Sequence, residues 1–252
     1  MFQLLDYYDE LHFTARPDTH IHLRCECISP LIDATVLSGS DNLICRAARS
    51  LQAQYNVQQG VDIVLYKRIP VGGGLGGGSA NAAATLLALS RLWGLDCALS
   101  VLIAIGLQLG ADVPVFLQGK TAWGEGIGEI LTPITLRKHW FLVIFPGVSV
   151  ASAAIYHDPG LTRATSPITI QHFLQGITQI RNDCESVVKM RYPVVFAALD
   201  WLNSFSPARL TGTGACVFAQ FDCPSQAQAV LEKIPSPWQG FVSQGVNQFT
   251  VL

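Results

Sequence analysis

Six of the seven residues from 72 to 78 are glycine, and the run IPVGGGLGGGSANAAATL leads from that turn straight into an alanine- and leucine-rich segment. Glycines at a helix N-terminus leave backbone N–H groups uncovered and aligned with the helix dipole, an arrangement suited to holding phosphate. A flexible loop, or a close helix–sheet contact, would use the same glycines; the good helix formers that follow favour the phosphate reading. A second candidate is Asp112, the only charged residue between Asp96 and Lys120. A carboxylate in so apolar a neighbourhood must be hydrogen-bonded, paired or chemically used, because burying it bare is expensive. As a turn residue it would bond its own backbone; as a functional one it would take a proton. Ser79 could reach a phosphate or Mg²⁺, or simply cap the helix.

Other patterns invite chemistry and fail on context. Gly72, Gly74 and Gly77 satisfy GxGxxG, and Asp96 lies near the spacing of a ribose-binding acid, but it falls between two helices and not after a second strand. Gly119-Lys120-Thr121 resembles the end of a P-loop, yet Pro114 stands where that loop needs glycine. Protein-kinase signatures are absent, and no HExxH pair or nucleophile elbow supports a hydrolase. His20 and His22 would face one side of a strand and Cys25 and Cys27 the other, at spacings tighter than zinc sites use.

The elements that must position these residues follow from periodicity. Strands are expected over 11–13, 21–27 and 61–67, with a helix over 41–55 capped by Asp41. The glycine turn leads into a helix over 79–93 that stops at Gly94. Ser100 is expected to cap an apolar helix over 101–109, and a turn holding Asp112 and Pro114 follows. Residues 140–145 (WFLVIF) read as a buried strand after the polar RKH cluster, and 215–221 as another, before a helix over 224–233. The change of character places a domain boundary near residue 136, giving domains 1–135 and 136–252. No repeat of 20 to 50 residues stands out.

Composition bounds the function. Half of the 252 residues are hydrophobic and 13% are charged, which excludes a disordered chain. Sixteen basic and 18 acidic residues give a net charge of −2, with no electrostatic footprint for nucleic acid. The longest uncharged stretch, 69–90, carries six glycines and a proline, and no apolar run suits a membrane span or signal peptide. Seven cysteines at irregular spacing, without a CxxC pair, fit free thiols in a reducing compartment. A soluble, cytoplasmic enzyme of small molecules is the expectation, its oligomeric state unspecified.

The segment PVGGGLGGGSANAA resembles the ATP-phosphate loop of the GHMP kinases (galactose, homoserine, mevalonate and phosphomevalonate kinases), and further blocks match in order across the whole chain: LLDYYDELHF, SDNLICRAAR, LGADVPVF, GEGIGEILTPI and RLTGTGACVFA. Within the family the likeness is strongest to the branch that phosphorylates the 2-hydroxyl of 4-diphosphocytidyl-2-C-methyl-D-erythritol in the non-mevalonate isoprenoid route. The resemblance implies an α+β fold of two domains. The N-terminal one would be of the ribosomal-protein-S5-like type and the C-terminal one ferredoxin-like, with the active site in the cleft between them. It implies ATP with Mg²⁺ and a small-molecule substrate. Asp112 would be the group that orients or deprotonates the attacking hydroxyl. Pro70, Gly72, Gly73, Gly74, Leu75, Gly76, Gly77, Gly78 and Ser79 would hold the phosphates, Ser79 also touching the metal. Asn42 and Lys67 would lie near the adenine, Phe2 and Tyr156 would sandwich the cytosine ring, and Gly212 and Gly214 would close on the substrate.

The match departs from the family at one end. Family members carry a segment upstream of the point matching Met1. It holds a P-A-K strand whose lysine partners the catalytic aspartate, and a Gly-Tyr-His segment that binds the cytidine; neither occurs in this sequence. Ala80 also replaces a serine common in the glycine loop. Either the sequence begins inside a longer natural chain, or it is a relative that binds nucleotide without turnover; a GHMP kinase for another alcohol is a third reading.

Overall fold

The computed structural model describes residues 1–27, 37, 39–175 and 180–249. They fall into two compact units: Met1–Val71, Gly76–Arg137 and the chain from Val246 form the first, Gly72–Leu75 and Lys138–Gly245 the second.

The first unit contains strands β1 (Leu4–Leu5), β2 (Glu10–Arg16), β3 (Ile21–Cys27) and β4 (Gly60–Lys67). Strand β4 is central to a three-stranded sheet, with β2 antiparallel on one side and β3 parallel on the other; Ile63 stands opposite both Phe13 and Leu23. A parallel neighbour needs a crossover, and helix α1 (Leu43–Tyr55) lies in the chain between β3 and β4. It buries Ile44, Ala47, Ala48 and Leu51, one stripe at helical spacing. Helices α2 (Gly77–Leu92), α3 (Leu99–Leu109) and α4 (Val113–Gln118) add Leu86, Leu89, Leu102 and Val113 to the same core. Strands β5 (Ala122–Glu125) and β6 (Ile130–Pro133) form a hairpin with Glu125 opposite Ile130. Sequence reading had not foreseen it.

In the second unit β7 (Trp140–Phe145) is a central strand, with Val143 opposite both Phe218 and Phe241. Its neighbours are β9 (Val217–Phe221) and β10 (Gln239–Val246), and β8 (Ala208–Leu210) pairs with β9, so four strands run in the order β10-β7-β9-β8. Five of the six residues of β7 are buried, as its unbroken apolar run requires. Helices α5 (Ser152–Tyr156), α6 (Ile170–Leu174), α7 (Cys184–Arg191), α8 (Pro193–Asn203) and α9 (Pro224–Leu231) complete the unit.

Several expectations need correction. The cap of α1 is Asn42, not Asp41: its Oδ1 accepts a hydrogen bond from the Ile44 amide at 2.9 Å. Ser100 lies inside α3, where Ala98 holds the cap position without a side-chain bond. The expected turn holds Asp112, closed by a 3.1 Å bond from the Val113 amide to the Gly110 carbonyl, but Pro114 lies beyond it in a helix. Asp112 sits in helical geometry at the N-cap position of α4, and Pro114 is tolerated in a first turn whose amides have no intrahelical partner. Helix α2 begins at Gly77, two residues before the expected start, so Ser79 does not cap it. Strand β9 starts two residues later than expected, and α9 ends two residues earlier. Among the described residues no helix is long and apolar enough to cross a membrane, and Cys25, Cys45, Cys97, Cys184, Cys216 and Cys223 are unbridged.

Candidate functional site

Strand β4 alternates strictly. Val61, Ile63, Leu65 and Lys67 share its buried face, so period two carries a lysine into the core at the strand's end. A buried ammonium needs a counter-charge, and Asp9, whose side chain is fully buried, supplies it through an ion pair with Lys67 Nζ. The same carboxylate accepts from the amides of Arg68 (2.8 Å) and Ile69 (2.9 Å) and from Asn81 Nδ2 (3.0 Å). Lys67, proposed from sequence beside the adenine, is thus held by Asp9, and its Nζ lies 3.1 Å from where a Cβ on Gly77 would stand.

The start of α2 is the first-unit part of the glycine run. Gly76 holds the N-cap position in left-handed conformation (φ +69°), and a Cβ there would come within 2.8 Å of the Phe116 ring of α4. Both the conformation and the contact demand glycine. The amides of Gly74 to Ser79 have no hydrogen-bond acceptor among the described residues; the first amides of a helix remain available to an outside acceptor. Ser79 Oγ, also without a partner among the described residues, is 3.8 Å from where a Cβ on Gly110 would stand, two residues before Asp112. The packing of α4 against α2 therefore brings Gly76, Ser79 and the Asp112 turn into one neighbourhood.

Asp112 reaches solvent, and among the described residues no ion pair or hydrogen bond engages its carboxylate. The atoms packed around it still desolvate the group enough to raise its pKa above the ordinary aspartate value. Its apolar sequence neighbourhood predicts a buried carboxylate in need of a partner; Asp112 is instead exposed, where solvent can hydrate it.

Asn42 spends its amide locally, accepting from Ile44 and donating from Nδ2 to the Leu37 carbonyl at 2.6 Å. Phe2 is tied to the β5–β6 hairpin by two backbone bonds with Ala122, of 2.8 and 3.1 Å. Its ring crosses Gly124 so closely that a Cβ there would lie 2.8 Å from the ring edge, and one on Gly128 would lie 3.4 Å from it.

In the second unit the remaining glycines are bound as acceptors. The Gly72 carbonyl accepts from the amides of Val150 (3.2 Å) and Ala215 (3.1 Å), and that of Gly73 from Cys216 N (3.0 Å) and Thr211 Oγ1 (2.8 Å). Two glycine segments, 72–75 and 211–215, therefore lie against each other inside this unit. Gly212 and Gly214 both have positive φ, and Asn182 Nδ2 donates to the Gly212 carbonyl at 2.6 Å. Tyr156 ends α5 and is 58% exposed. Ser152, at the start of that helix, shares a 2.8 Å hydrogen bond with Thr213. Pro70 and Leu75 are half-buried, and Gly78 is exposed.

Asp9, Asn81, Thr211 and Asn182 escaped the sequence reading as individual residues. Asp9 and Asn81 lie within matched blocks, LLDYYDELHF and GGGSANAA, and the alternation of β4 alone demands a carboxylate for Lys67.

The architecture and loops assembled here coincide with a known class. The family described as GHMP kinases N terminal domain matches residues 42–120, and GHMP kinases C terminal matches 169–240. A homoserine kinase crystal structure from Cytophaga hutchinsonii shares the fold at 15% identity, with a TM-score of 0.65 over 98% of this chain and 89% of that one. Likeness of sequence narrows the class. A 4-diphosphocytidyl-2-C-methyl-D-erythritol kinase of Alkalilimnicola ehrlichii is 51% identical over 253 aligned positions, covering all of this chain and 83% of the relative. One from Chromohalobacter salexigens is 51% identical over 251, covering 98% and 82%. A crystal structure of 4-(cytidine 5'-diphospho)-2C-methyl-D-erythritol kinase superposes with a TM-score of 0.78 at 27% identity, over 97% of this chain and 89% of that one. The chain belongs to the GHMP kinases, on the branch of the 4-diphosphocytidyl-2-C-methyl-D-erythritol kinases.

Proposed function

We propose that this chain transfers the γ-phosphoryl group of ATP to the 2-hydroxyl of 4-diphosphocytidyl-2-C-methyl-D-erythritol. The observation that carries the proposal is the 51% identity, across the whole chain, to kinases of that name. Phosphoryl transfer asks a protein mainly to position groups and neutralise charge. The uncapped amides at the start of α2, with Gly72, Gly73, Gly74 and the hydroxyl of Ser79, suit the phosphates. Asp112 takes the proton of the 2-hydroxyl as its oxygen bonds to the γ-phosphorus and the bond to the β-phosphate oxygen breaks, releasing ADP. Its unbonded carboxylate and raised pKa suit a general base. Phe2 and Tyr156 offer flat faces to the cytosine ring, Gly212 and Gly214 form the substrate-side loop, and Asn42 borders the adenine side, where Lys67, buried against Asp9, serves the fold beneath it.

Among the described residues no group of three or more histidine, cysteine or acidic side chains could hold a metal ion alone. Ser79 Oγ would serve as one protein ligand to a Mg²⁺ bound on the ATP phosphates, since Mg²⁺ retains water and phosphate oxygens and needs few protein ligands. Such an ion would neutralise charge on the phosphates. A cytoplasmic site of action suits the net composition and the unbridged thiols.

One observation favours a second reading, nucleotide binding without turnover: Asp112 has no cation beside it among the described residues. The test is ADP release by the purified chain with ATP, Mg²⁺ and the diphosphocytidyl substrate, beside Asp112→Asn. Substrate-dependent release that disappears in the variant supports the kinase. Nucleotide binding without any release selects the second reading, and release with an alcohol lacking cytidine points to another GHMP substrate.

A further inference from the structure

We infer that Asp9 is the positioning residue of the nucleotide loop, stapling its two ends together so that the amides between them are preorganised for phosphate. The inference rests on the reading of residues 72–79 as that loop. Asp9 is remote in sequence, yet one of its oxygens accepts from Arg68 N and Ile69 N, where β4 runs out, and the other from Lys67 Nζ and from Asn81 Nδ2 in α2. The donors thus flank the glycine run on both sides. Glycine is the residue that loses most backbone freedom on ordering, so a six-glycine loop with free ends would spend much of its binding energy on becoming rigid. Fixing both ends removes part of that cost before the ligand arrives.

The charge arrangement fits this role. Lys67 and Asp9 neutralise each other with side chains 5% and 0% exposed, so the pair adds little net field and its value lies in geometry. Asp9 offers acceptors to four donors, which an amide cannot do: the Nδ2 of an asparagine would turn a donor toward the Lys67 ammonium, the two backbone amides or Asn81. Lys67 has room beside α2 because residue 77 is glycine.

The experiment measures the dissociation constant of a non-hydrolysable ATP analogue and, separately, that of the diphosphocytidyl substrate, for wild type, Asp9→Asn and Asn81→Ala, by calorimetry. Asp9→Asn is expected to weaken analogue binding about tenfold or more, and Asn81→Ala, which removes one donor only, a few-fold, as loss of single hydrogen bonds to charge predicts. Substrate affinity should change less than about twofold, and hydrogen exchange at the amides of Arg68 and Ile69 should quicken in Asp9→Asn. Unchanged analogue affinity in a folded Asp9→Asn, or parallel losses for both ligands, would overturn the inference. If Asp9→Asn does not fold, Asn81→Ala decides it: a loss confined to the analogue supports the staple, and no loss overturns it. Wild type that binds the analogue but not the cytidine substrate would sink the functional reading and leave this inference standing.

Discussion

Two aspartates of the first unit have opposite surroundings. The side chain of Asp9 is fully buried and accepts from four donors, one of them the Lys67 ammonium. Asp112 reaches solvent, meets no donor among the described residues, and has its pKa raised by desolvation. A carboxylate whose capacity is filled by its own protein has nothing left for a substrate and contributes by fixing backbone. One that reaches solvent without a protein partner, and is partly desolvated by its neighbours, remains open to accept a proton. The contrast separates a carboxylate committed to its own fold from one left open, as the proposed general base must be.

Substitutions at the two positions should separate these roles. Asp112→Asn is expected to lower kcat by about 10²- to 10⁴-fold, the usual worth of a general base, while leaving thermal stability equal or slightly higher. The sign follows from linkage: a folded-state pKa above the unfolded one means that stability is gained as pH falls and lost as pH rises through the folded pKa. A melting curve showing clear destabilisation in Asp112→Asn would remove the contrast. The same shift places the acid limb of kcat/KM above the ordinary aspartate range, activity rising with pH as Asp112 ionises; a limb at the ordinary value would assign it to another group.

Asp9→Ala should act on stability first, costing about 3–5 kcal/mol because it strands a buried ammonium, and denaturant titration reads this directly. Pairing it with Lys67→Met should recover a large part of the loss. Gly76→Ala is next: positive φ and the Phe116 ring should together cost about 1–3 kcal/mol and raise the KM for ATP. Phe2→Ala is the mildest, raising the KM for the cytidine substrate several-fold through the loss of one stacking face, worth about 0.5–1.5 kcal/mol beyond its buried area. Equal effects on the ATP and substrate KM values would count against the cytosine role.

The sequence disclosed the glycine loop and Asp112 because each is a local anomaly, one in composition and one in charge. It disclosed β4 and β7 because alternation and a continuous apolar run survive in the linear text. Asp9 stayed hidden since its partners lie 58 to 72 residues away, and spacing gives no account of contacts across a fold. The choice of Asp41 as the cap of α1 is wrong because its neighbour Asn42 has equal intrinsic aptitude; the hydrogen bond to Ile44 assigns the cap to Asn42. The rule that proline drives helices away failed at Pro114 because the first turn has no bond for proline to break. The exposure of Asp112 is not legible in its apolar neighbourhood, because it follows from the placement of this residue at the start of α4.

Residues 72–75 leave the first compact unit and hydrogen-bond inside the second, long before the main crossing at Lys138, and the chain from Val246 belongs to the first unit again. No single scission of the polypeptide can therefore release the second unit whole. A fragment starting at Lys138 would expose the amides of Val150, Ala215 and Cys216 and the hydroxyl of Thr211, all of which had bonded to Gly72 and Gly73. A synthetic peptide bearing the glycine run, supplied in trans, would be the natural complement to such a fragment, as the missing piece completes a split reporter.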